Sequence, residues 1–131
     1  MAELNAKEMR GVTAIADMLG SETAEGLKAF ALTDRFGAKL ARLSLEFAYA
    51  DNWEKDESLT RREKSLLLIA ALVALDRPSE LKNHLRLGLA NGLKTDELET
   101  ILLQLVPYVG FPTVSGASAA IRELLKELKE G

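Results

Sequence analysis

The sequence has one histidine, His84, and no cysteine in 131 residues. His84 stands in "SELKNHLRLGLANG", four residues after Glu80. On a helix that spacing puts both side chains on one face. A carboxylate so placed can orient an imidazole, fix its tautomer and raise its pKa. Arg77 and Arg86 are near in sequence, so one reading is a proton donor beside an anion-binding patch. The other is a partly exposed histidine in a surface ion pair, with no chemistry. Spacing alone leaves both open.

Other chemistry-bearing residues are few. The absence of cysteine removes disulfides, thiolate metal sites, thiol nucleophiles and CxxC redox chemistry. One histidine with no H-x-x-x-H pair leaves no pattern for zinc or another transition metal. Ser65, Ser115 and Ser118 lack a nucleophile motif, and the glycines form no phosphate loop. Arg61, Arg62 and Lys64 make a short basic cluster that reads either as a carboxylate grip or as a solvated helix start. Trp53 and Tyr108 read either as pocket walls or as packing anchors.

Composition bounds the rest. The length suits one domain, 1–131, with a single core. Apolar residues make up 47% and charged residues 28%, an ordinary globular balance. The net charge of -3 and the absence of a dense basic run argue against nucleic acid as a partner. "MAELNAKEMRGV" has acids and no apolar core, so no signal peptide is expected. The longest apolar run, Leu66 to Leu75, is about half a membrane span. A cytoplasmic protein with no membrane partner is the expectation.

Helical periodicity positions these residues, and strand-like alternation is nearly absent. "AKEMRGVTAIADMLG" predicts a first helix stopped by Gly20. Ser21 predicts the N-cap of a second over 22–37. Leu40, Leu43, Phe47 and Ala50 predict one face of a third, about 38–52, followed by a loop, "DNWEKDESL". Thr60 and Glu63 form a capping box that opens a nearly all-apolar helix to about Leu75. Such a helix belongs at the centre of a bundle or in a subunit interface. Pro78 predicts the first residue of the His84 helix, and Asn91-Gly92 its end. Thr95 predicts the next N-cap. Leu98, Ile101, Leu102, Leu105, Val106 and Val109 predict one buried face, with a kink or stop at Pro107 and a turn at "GFP". Ala117, Ala120, Ile121, Leu124, Leu125 and Leu128 predict the inner face of the last helix. The sum is an all-α bundle of six to seven helices, with enough apolar surface to favour association of subunits.

The order of these features resembles the carboxymuconolactone decarboxylase family, within the all-helical superfamily of alkylhydroperoxidase-D-like proteins. The resemblance lies in Lys64-Ser65-Leu66, the long apolar helix, His84-Leu85-Arg86, Asn91-Gly92, Thr95-Asp96-Glu97 and Tyr108-Val109-Gly110-Phe111-Pro112. It covers residues 59 to about 125. The peroxidase branch of the superfamily uses two cysteines; alignment on His84 puts Arg77 and Glu80 there and Ser65 at a glutamate position, so thiol peroxidase activity is excluded. The chain lacks the Trp/Phe-Gly-Glu segment and Arg-Pro-Gly turn that typically precede the central helix, having "AYADNWEKDES" instead. It also has "TVSGAS" where an asparagine is common.

The resemblance implies a homo-oligomer, trimer or hexamer, acting without cofactor or metal on a small anionic substrate, a carboxylated lactone. It implies His84 as proton donor with Glu80 as its orienter. Arg86, Arg77 and Lys64 would hold the anion, with Ser65, Tyr108 and Trp53 completing the binding site. The alternative is a non-catalytic helical scaffold or small-anion-binding protein that has lost the site.

Overall fold

The computed structural model describes residues 3–55 and 58–130, apart from the Glu130 side chain. Among them are seven α-helices, one π-helix and no strand. The all-α expectation holds. The chain forms two compact units, Met1–Thr60 and Arg61–Gly131.

In the first unit, α1 (Ala6–Leu19) starts at a reciprocal cap. The Glu8 N–H donates to Asn5 Oδ1 at 2.7 Å, and the Asn5 N–H donates to Glu8 Oε1 at 2.8 Å. The buried Glu8 carboxylate also receives Arg42 through Nε (2.7 Å) and Nη2 (2.8 Å). The Arg42 hydrogen bond is the main force holding its pKa below 4.5. Gly20 ends α1 as expected. Ser21, however, is the first residue of α2 (Ser21–Ala31) rather than its cap, and α2 ends six residues short of Gly37.

Helix α3 (Ala38–Leu43) runs directly into a π-helix, Ser44–Glu54. This overturns two expectations. Leu40, Leu43 and Phe47 are 70%, 58% and 61% exposed, whereas Ala41, Leu45 and Ala50 are buried. The expected face used steps of three and four residues. In α3 the inner face is Ala38 and Ala41, not Leu40 and Leu43; the π-helix then bonds i to i+5, so its inner face steps from Leu45 to Ala50 and leaves Phe47 outside. Residues 51–54, expected in the loop, complete the π-helix; residues 56 and 57 of that loop lie outside the described residues. The π-helix presses on α1 at Gly11, where a Cβ would fall 2.1 Å from the Leu45 carbonyl oxygen. Val12, Ile15, Ala24, Ala31, Ala41 and Leu45 form this unit's core.

In the second unit, α4 (Arg61–Ala74) begins directly after Thr60. Helix α5 (Pro78–Ala90) has proline at its first position and ends at Asn91-Gly92, as expected. Helix α6 (Thr95–Val109) starts at Thr95, with Lys94 in the cap position assigned to Thr95. Glu97 accepts the Lys94 N–H at 3.0 Å and pairs with Arg62 of α4. Pro107 does not end α6. Its missing N–H falls in the last turn, where only Tyr108 and Val109 remain, and the stop comes at Gly110 (φ 92°). "GFP" is therefore a one-residue turn, because Phe111 already belongs to α7 (Phe111–Glu130).

Ile69 and Val73 of α4, Leu81 and Leu85 of α5, Leu98 and Leu102 of α6, and Ala117, Ile121 and Leu124 of α7 form the second core. Leu128, expected on that inner face, is exposed near the helix end. The apolar helix α4 is only partly enclosed within its own unit, since Leu67 is 49% exposed.

Candidate active site

Leu81, Leu85, Leu87 and Gly88 anchor α5, and His84 lies between them. Residues 81, 84 and 88 fall on one stripe at helical spacing. At Gly88 the stripe meets α4. An added Cβ would stand 2.9 Å from Leu93 Cδ1, 3.0 Å from Ile69 Cδ1 and 3.7 Å from Ser65 Cβ. Ser65 is 1% exposed, and its hydroxyl accepts the Asn91 side-chain amide at 3.0 Å. A glycine and a buried serine thus hold α4 and the end of α5 together one turn beyond His84.

The imidazole is half-buried, and its Nδ1 is shielded from water. Burial pushes its pKa below the ordinary 6.5, because the cation would lose hydration; the charge of Glu80, one turn earlier, pulls back up. At neutral pH the ring is therefore predominantly neutral.

The other expected site residues divide. Glu80 acts electrostatically on His84, as its spacing implied. Arg77 is exposed, immediately precedes α5 and lines a cleft of about 150 Å³. Lys64 is half-buried in the first turn of α4, beside Ser65. Ser65 is committed to the helix contact and presents no open surface. Arg86 lies two residues after His84, on another side of α5. There it donates from Nη2 to Glu127 of α7 at 3.2 Å. Tyr108 is 78% exposed near the end of α6. Trp53 is buried in the first unit, within the π-helix.

Sequence reasoning missed the ladder that holds Arg86. Lys82 reaches Glu123 at 2.8 Å and Glu127 at 3.5 Å, and Arg86 reaches Glu127. The signal was available: Lys82 and Arg86 are four apart, and so are Glu123 and Glu127. Two like-spaced helix stripes of opposite charge are complementary.

Residues 38–123 match the sequence pattern of the Carboxymuconolactone decarboxylase family. The chain belongs to that family. The 4-carboxymuconolactone decarboxylase of Acinetobacter baylyi is 38% identical over 82 residues, which are 63% of this chain. The matched stretch spans 60% of that protein's length. The family match begins in α3, well before residue 59 where the resemblance was first legible. It therefore includes the π-helix and Trp53.

The His84 ring should titrate below 6.5 by NMR, and Glu80→Gln should move it lower still. The unfolded chain then binds this proton more readily than the native chain. The stability gained from a neutral His84 is present above pH 6.5 and is lost as the pH falls below it. Denaturant unfolding should show that loss, and His84→Gln should flatten it. A ring titrating above 6.5 contradicts this assignment.

Proposed function

We propose that the protein is a cofactor-free lyase that decarboxylates a small carboxylated lactone or a related acid, with His84 delivering the proton. The observation that carries this reading is a half-buried imidazole with a carboxylate one turn away, in a chain of the carboxymuconolactone decarboxylase family. The name of the Acinetobacter relative supports the substrate class.

The chemistry asks little of the protein beyond charge control. The bond between the ring carbon and its carboxylate breaks, and carbon dioxide leaves. The electron pair enters the unsaturated lactone and ends on the lactone oxygen, so the ring is its own electron sink. A proton then adds to carbon. The anionic substrate raises the proton affinity of His84, so the imidazole is charged in the complex and becomes the acid for that step. Glu80 orients the ring and adds to this effect. Arg77 and Lys64 hold the anion, with the exposed Tyr108 as a further binding residue. Arginine suits a carboxylate because its fork can bind both oxygens.

The proposal extends to assembly. The exposed Leu67, Leu75, Leu103, Tyr108 and Phe111 support a trimer or hexamer in which subunits cover each other's apolar surface. Among the described residues no helix is long and apolar enough to cross a membrane, which fits the proposed cytoplasmic setting. The family match runs through both compact units, which supports one functional domain over the whole chain. The engagement of Arg86 by Glu127 favours the second reading, a non-catalytic scaffold or anion binder.

Incubation with carboxymuconolactone separates the two. The lyase should consume it, read as loss of ultraviolet absorbance, and His84→Ala should slow turnover at least about 100-fold. No consumption above background overturns the lyase reading. Light scattering should give three or six times 14.3 kDa; a species of 14.3 kDa overturns the assembly.

A further inference from the structure

The cleft at Arg77 is built for one end of a molecule. Its floor is apolar, made by Leu72 and Val73 of α4, Leu81 of α5 and Ala117 of α7. Gly116 leaves one wall bare, since a Cβ there would meet nothing within 4 Å. Arg77 supplies the cationic group at the cleft. It differs from Arg42, Arg62 and Arg86, each of which is held by a glutamate. Among the described residues no carboxylate lies within ion-pair distance of Arg77. An arginine left uncommitted over an apolar floor can take an anion without first breaking an internal ion pair.

We propose that this cleft is a carboxylate subsite, in which Arg77 grips the carboxylate of a short-chain acid while Leu72, Val73, Leu81 and Ala117 receive its hydrocarbon arm. The volume of about 150 Å³ is roughly half the lower bound for drug-sized pockets. It therefore admits a short acid, or one arm of a larger one. Asp76 also lines the cleft, with its backbone in the left-handed region (φ 56°). Leu81 sits four residues after Arg77 and three before His84, which puts the cleft and the imidazole along the same part of α5. That this cleft anchors the non-reacting carboxylate of a lactone substrate rests on the lyase reading above; that it binds a short acid does not.

The test uses the full chain labelled with ¹⁵N. Propionate should give saturable amide shifts at Leu81, Gly116 and Ala117. Propionamide, the neutral analogue, should bind at least tenfold more weakly. Arg77→Met should weaken propionate at least tenfold, and Gly116→Leu, which fills the cleft from an open helix position, should do the same. Equal shifts from propionate and propionamide, or shifts unchanged in Arg77→Met, overturn the subsite. With carboxymuconolactone, Arg77→Met should raise KM at least tenfold, with the main effect on KM rather than kcat. Turnover with an unchanged KM in that variant removes the anchoring role and leaves the lyase reading intact. Propionate binding without any turnover of the lactone removes the lyase reading and leaves the subsite standing.

Discussion

The close contact between α4 and α5 at Gly88 is the constraint on which the candidate site depends. With any larger residue there, the methyl tips of Ile69 and Leu93 must give way. Ser65 and Asn91 fasten the same contact with a hydrogen bond, and both groups would otherwise sit poorly solvated. The consequence for chemistry lies one turn away. His84 lies on the same stripe, and its half-buried ring loses part of its hydration and rests neutral.

The same hairpin sorts the cations. Lys82 and Arg86 leave α5 on the side facing α7, where Glu123 and Glu127 neutralise them. These pairs are exposed and contribute little to stability individually, but they settle which basic groups are occupied. Arg77, at the other end of α5, is left over a cleft instead. Position on the helix, rather than residue type, separates a structural arginine from one able to meet a ligand.

Much of this was legible in the sequence because caps and stops act locally. Pro78, Asn91-Gly92 and Gly20 marked their helix ends correctly, and the inner face of α6 followed ordinary helical spacing. Three features were not legible. Leu40 and Leu43 looked like the inner face of α3, which instead turns the small Ala38 and Ala41 inward, and nothing in the residue types announces the change of pitch that puts Phe47 outside the π-helix. Pro107 looked like a stop, yet it removes only the bond to the Leu103 carbonyl, and α6 runs two residues past it. Arg86 looked like a ligand for an anion because it adjoins His84 in sequence. Its true neighbour, Glu127, is 41 residues away. Of the candidate site, the His84–Glu80 relation was local and readable, whereas the burial of the ring depended on a tertiary contact.

On this view the Gly88 contact sets the protonation state of His84. The most direct measurement is the NMR titration of the His84 ring in Gly88→Ala and Gly88→Val, with circular dichroism verifying that each remains helical. The ring pKa should change little in the alanine variant, where the tips of Leu93 and Ile69 can yield, and should rise toward 6.5 in the valine variant, whose bulkier side chain forces α4 and α5 apart and admits water. A folded valine variant whose histidine titrates as in the unaltered protein would contradict the claim.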